Sequence, residues 1–189
     1  TLAGALKPHL GALLAYFALS AALIAGNAPA AGCVLLAATA AWWYFTGRLG
    51  DADANATLVP PLAGAFGCNQ LAPLVAGFCL PPARAFGALA FSLLVSVLLA
   101  SCGSYSLLGW DALANWQFSA GLDVQVGIGS LLMQPALWCI VVSWIAATGA
   151  LSAFRLRPTR AFAVLGTLVA GALLLAGTAL AAWVASGQA

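Results

Sequence analysis

The sequence predicts an all-α fold, a polytopic helical membrane domain, from three observations. The chain is 64% hydrophobic and 5% charged, against roughly 25% charged in an ordinary soluble domain. Its six Lys/Arg and four Asp/Glu side chains could not keep the surface of a 189-residue soluble fold in water. Apolar segments also recur near the length of about 20 residues that a helix needs to cross the roughly 30 Å hydrocarbon core.

The first apolar segment is residues 10–26, closed by Asn27 and Pro29. The second, 29–46, ends in Trp42, Trp43, Tyr44 and Phe45, rings that suit the headgroup zone at a span end. A polar stretch with Arg48, Asp51 and Asp53 follows and predicts a loop with a solvated carboxylate pair. Residues 56–80 are apolar but interrupted by Pro60, Pro61, Gly64, Gly67 and Pro73, with Asn69 and Gln70 in their midst. After Pro81, Pro82 and Arg84, residues 85–102 form an uninterrupted span. A long connection, 103–133, carries Asp111, Asn115, Gln117 and Asp123 but no Lys or Arg. A span over 135–154, a loop with Arg155, Arg157 and Arg160, and a last span over 161–185 complete the chain. No fixed-period repeat is evident.

The broken segment decides the topology. Were 56–80 a sixth, kinked span, the basic residues would divide two against four between the faces, and neither orientation would satisfy the positive-inside tendency. Were it a re-entrant hairpin, Lys7, Arg48, Arg84, Arg155, Arg157 and Arg160 would all share the cytoplasmic face, opposite the Arg-free connection. Two half-helices of about 11–12 residues at 1.5 Å per residue reach only about half-way across, with glycine easing the turn near 67–70. The expectation is five transmembrane helices plus a re-entrant helical hairpin at about 56–80, with the N-terminus cytoplasmic. Six transmembrane helices is the alternative.

Chemistry-bearing residues are sparse. Asn69 and Gln70 form the candidate polar membrane site, either lining a path for a solute or ion or satisfying backbone groups at the turn, the latter being favoured. Carboxylates inside a membrane mark transport pathways, and none lies within an uninterrupted span. Cys33, Cys68, Cys79, Cys102 and Cys139 form no CxxC pair, and His9 is the sole histidine, so no metal site is expected. One His and no Glu leave little for acid–base catalysis, and no cofactor is implied. Residues 99–102 resemble a lipobox, but spans precede them, so lipidation of Cys102 is not expected. Residues 105–120, with Trp110 and Trp116, read as an interfacial helix. The triplet Asn55-Ala56-Thr57 fits a glycosylation acceptor without meaning on a cytoplasmic face. In so Ala-rich a chain, the fourfold spacing of small residues at Gly166, Ala170, Gly177 and Ala181 reads as chance. Scattered basic residues argue against a nucleic-acid partner.

The Ala, Gly and Arg content suggests a GC-rich bacterial source. The chain starts at Thr1, and its single Met is Met133. That predicts a fragment, a single integral membrane domain over 1–189 with a further domain upstream. Residues 43–82, WYFTGRLGDADANATLVPPLAGAFGCNQLAPLVAGFCLPP, and 106–116, SLLGWDALANW, resemble the multi-span membrane region C-terminal to some actinobacterial serine/threonine protein kinases. The resemblance implies a kinase domain before residue 1, since no Gly-rich loop, HRD or DFG occurs in this chain. The functional expectation is a membrane anchor or sensory module of a larger bacterial signalling protein in the cytoplasmic membrane, with the lipid bilayer and an upstream cytosolic domain as partners. The alternative is a small-solute transporter or channel-like protein using 56–80. The oligomeric state is not readable from the sequence.

Overall fold

The structure is a computed structural model, and it describes residues 7–26, 29–46, 51–63, 68, 70–101, 128–129, 131–156 and 159–187. Among these residues the fold is all-helical. In chain order the helices are α1 (Pro8–Ala25), α2 (Pro29–Thr46), α3 (Asp51–Leu62), α4 (Leu71–Cys79), α5 (Pro82–Ser101), α6 (Pro135–Arg155) and α7 (Arg160–Ser186). Pro8, Pro29, Pro82 and Pro135 each open a helix. A proline's missing N–H costs nothing in the first turn, and its fixed φ suits that position. Prolines that read as breaks between spans are therefore helix starts.

Three helices, α1, α6 and α7, are long and apolar enough to cross a membrane, and α5 is apolar over Pro82–Leu98. Large apolar side chains cover the outside of the bundle. Phe45 is 66% exposed, Leu168 65%, Leu175 67% and Trp183 73%, a surface far more apolar than the patches a water-soluble monomer shows.

The interrupted segment folds as two short helices, α3 and α4. By rise per residue they are about 18 Å and 14 Å long, each too short to cross the hydrocarbon core. Three contacts set their course. Lys7 Nζ lies 3.5 Å from Asp51 Oδ2, and His9 Nε2 lies 3.6 Å from Asp51 Oδ1. One helical stretch further on, Tyr16 Oη–H donates to the Leu58 carbonyl at 2.9 Å. Thus α3 runs beside α1 in the same direction. At its start Asp53 Oδ2 accepts from Arg84 Nη1 at 3.1 Å, so the first turns of α3 and α5 share one end of the bundle. Because α4 passes into α5 through Leu80 and Pro81, the α3–α4 pair leaves that end and returns to it.

Two expectations are corrected here. Asp51 and Asp53 do not lie in a loop. They occupy the first turn of α3, where negative charge complements the positive end of the helix dipole, and the hairpin begins at 51, ahead of 56. The charge density of 48–53 resembles a loop in sequence, yet two aspartates separated by one residue also suit a helix start. Pro60 and Pro61 do not end α3 either. They sit inside its last turn and are buried, and the helix closes at Leu62.

The core has three parts. Tyr16, Leu23, Leu35, Leu58, Phe91 and Val95 join α1, α2, α3 and α5. Phe91 stands edge-on to Tyr16, with ring centroids 5.8 Å apart, and stacks on Trp42 at 5.6 Å. Ala56, Ala76, Leu80, Ala85 and Ala88 seal the hairpin against α5. Ile140, Trp144, Ala147, Leu151, Ala170 and Leu174 hold α6 to α7, together with Ala72 of α4.

The small residues of α7 are also corrected. Gly166, Ala170, Gly177 and Ala181 are all buried in its packed face. A Cβ on Gly177 would run into Ser143 Cβ and Oγ, and one on Gly166 would meet Phe154 Cβ at 2.7 Å. The pairs 177–143 and 166–154 describe one antiparallel register, so the spacing read as chance is the α6–α7 seam, where small residues let helix backbones approach.

Candidate functional site

The centre of interest is the inner end of the α3–α4 hairpin. Gln70 is half-buried at the residue before α4, and its side chain makes no capping bond to that helix. Its Oε1 instead accepts from the indole N–H of Trp144 at 2.8 Å. Trp144 is 1% exposed and lies mid-way along the 21-residue α6. A buried indole N–H needs an acceptor, and the long amide side chain brings one from the hairpin. Gln70 Nε2 is buried and has no hydrogen-bond partner among the described residues.

The contact continues down both helices. Thr148 Oγ1 donates to the Pro73 carbonyl at a long 3.4 Å. A Cβ on Gly77 would stand 2.8 Å from Leu151 Cβ and 3.1 Å from the Thr148 carbonyl. Only glycine lets α4 approach α6 this closely. The pairs 70–144, 73–148 and 77–151 advance together, so α4 runs parallel to the second half of α6. Since α4 ends beside Arg84, Arg155 in the last turn of α6 and Arg160 in the first turn of α7 lie toward that same end.

Among the predicted residues, the structure therefore brings Lys7, Arg84, Arg155 and Arg160 to one end of the bundle and sets Gln70 deep within it. Asn69, Arg48, Arg157, Cys102 and the segment 105–120 lie outside the described residues. The two ion-paired clusters are solvent-accessible. Lys7 and Asp51 side chains are 54% and 63% exposed, and Arg84 is 46% exposed. Pairs of this kind contribute about 0–1 kcal/mol each and serve mainly to register the helix starts. Asn55 and Thr57 lie in α3, with Thr57 Oγ1 donating to the Asp53 carbonyl at 3.0 Å. No group of three or more His, Cys, Asp or Glu side chains that could hold a metal ion occurs among the described residues.

Sequence reasoning missed Trp144. It lies in a strongly apolar span and reads there as hydrophobic bulk. The available signal was its N–H, a donor at mid-span that needs an acceptor once buried.

Over the described residues the arrangement is all-helical, with membrane-length apolar helices and an internal, hydrogen-bonded helical hairpin. Comparison with protein-family models, curated proteins and solved structures found no match to this chain.

Proposed function

We propose that this chain is a non-catalytic module of the bacterial cytoplasmic membrane, with five spans and a re-entrant α3–α4 hairpin, that anchors a larger signalling protein or senses for it. The observation that carries the reading is the Gln70–Trp144 hydrogen bond. The polar group at the hairpin's inner end is tied into the bundle, with Thr148 and Gly77 continuing the seam, so the hairpin acts as a packed wedge. The resemblance to kinase-linked membrane regions supports a cytosolic kinase domain upstream, and the position of Lys7 beside Asp51 supports a cytoplasmic N-terminus. Arg84, Arg155 and Arg160 toward the same end fit the positive-inside tendency.

Orientation is tested by thiol labelling of single cysteines in an otherwise Cys-free chain, in sealed right-side-out vesicles. Cysteines replacing Ala52 and Leu156 are expected to react only after permeabilisation, and one replacing Met133, which is 86% exposed, from outside. Reaction of positions 52 and 156 from opposite sides would exclude the re-entrant arrangement.

Anchoring is separated from transport by reconstitution. Proteoliposomes of the chain are expected to show ion and small-solute leak equal to empty liposomes, for both wild type and the Asn69→Ala/Gln70→Ala double variant. The double variant is expected to melt lower, because loss of a buried partner costs about 1–3 kcal/mol and membrane proteins recover part of it. Wild-type flux that the double variant abolishes without a change in melting would establish the transport reading, since an apolar wall there would dewet a pore.

A further inference from the structure

The α4, α6 and α7 helices do not close completely at the basic end of the bundle. They leave a crevice of about 340 Å³ lined by Phe78, Leu151, Phe154, Arg155, Ala163 and Gly166. That is well above the roughly 150 Å³ of an apolar cavity that admits benzene. Five of its six lining residues are apolar or glycine, and the sixth is an arginine in the last turn of α6. Arg160 opens α7 close by and is exposed.

Among the described residues the charges around the crevice are unbalanced. The two described carboxylates are engaged elsewhere, Asp51 with Lys7 and His9 and Asp53 with Arg84. No ion pair involves Arg155 or Arg160 among the described residues. Apolar walls under an uncompensated guanidinium call for an amphiphile whose head is anionic and whose tail is hydrocarbon. In a bilayer that description fits a phospholipid with a net negative headgroup, and basic pockets between membrane helices on the cytoplasmic side bind such heads.

We infer that this crevice is a binding site for one anionic phospholipid, its phosphate on Arg155 and an acyl chain between Phe78, Phe154 and Ala163. Phe78 follows Gly77, which packs on Leu151, so the lipid braces the returning arm of the hairpin against α6 and α7. The inference rests on the membrane embedding in the proposed function. It is independent of the anchoring role.

The test uses the purified full chain in nanodiscs of phosphatidylcholine alone or with phosphatidylglycerol, followed by thermal unfolding and by mass spectrometry of lipid retained on the protein. Phosphatidylglycerol is expected to raise the melting temperature and to remain bound as a single molecule. Arg155→Gln is expected to weaken retention about tenfold, the scale of one charge-assisted contact, and Arg155→Lys to retain most of it. Ala163→Leu, at an exposed position, narrows the acyl-chain part of the crevice with the charge kept and should weaken retention. Lys7→Gln removes a cation from the same end without touching the crevice and should leave retention unchanged. Equal melting in both lipids, full retention in Arg155→Gln or Ala163→Leu, an equal loss in Lys7→Gln, or reproduction of the shift by inorganic phosphate alone would each overturn the inference. The labelling pattern at positions 52, 133 and 156 is unaffected by any of these results.

Discussion

Trp144→Ala is expected to be among the most damaging single substitutions in this chain, destabilising it by about 3–5 kcal/mol, the range for truncating a buried Trp or Phe. Two losses combine. The indole fills the centre of the cluster joining α6 to α4 and α7, and its removal leaves a void bounded by helices that can close only in part. It also strips Gln70 Oε1 of the described donor at 2.8 Å, leaving an amide oxygen deep in the bundle. Trp144→Phe separates the two losses, because it keeps most of the ring and removes the N–H. That variant should cost less, with the hydrogen-bond share near 0.6 kcal/mol and at most about 1.7 kcal/mol, as measured between membrane helices. Denaturant or thermal unfolding in detergent measures both variants. A double-mutant cycle with Gln70→Ala isolates the pair, since groups in contact depart from additivity. Additive effects of Trp144→Phe and Gln70→Ala would show that the bond contributes nothing, and the packed-wedge account of the hairpin would lose its main support.

The second large effect is expected at Gly177. Its missing side chain is the condition for the α6–α7 seam, because any Cβ meets Ser143. Gly177→Leu should force the two helices apart, with a cost at the top of the about 1–3 kcal/mol range for overpacking or beyond it. Gly171 lies on the same helix with open space where a Cβ would go, and Gly171→Leu should be nearly neutral. Thermal unfolding in detergent should report the difference, with the melting temperature falling in Gly177→Leu and staying near wild type in Gly171→Leu. Equal behaviour of the two variants would mean that the seam does not depend on close backbone approach.

The all-helical class and the presence of membrane-length apolar helices were legible because they depend on quantities that add along the chain: apolar runs of the right length, few charges, and prolines at their margins. The hairpin was legible for a more specific reason. Residues 56–80 carry too many breaks for one straight helix, and the expectation that the segment turns back came from the basic residues, which share one face only in that arrangement. Its start was misread because Asp51 and Asp53 look alike in a loop and in a first helical turn, and what separates those states is the nearness of Lys7, His9 and Arg84, contacts across 31 or more residues. Gln70 was legible as an anomaly, an amide in an apolar run, but its partner 74 positions away was not, since no local pattern records which helix lies alongside. Small residues at 166, 170, 177 and 181 could not be told from background in an alanine-rich chain until the facing Ser143 and Phe154 gave them meaning.

The Arg84–Asp53 pair has a consequence for how such a chain can change. It joins the point where the polypeptide departs into the bundle to the point where it comes back, so the excursion between them has even parity. Removing or lengthening that excursion leaves every later helix pointing the way it did, with α5 still following α2 from the same end. In the proposed five-span arrangement, a deletion joining the end of α2 directly to Pro82 would therefore preserve the orientation of α5, α6 and α7, whereas deleting any one spanning helix would invert everything after it. In that arrangement the α3–α4 hairpin can be gained, lost or exchanged without redrawing the map of which loops face which compartment.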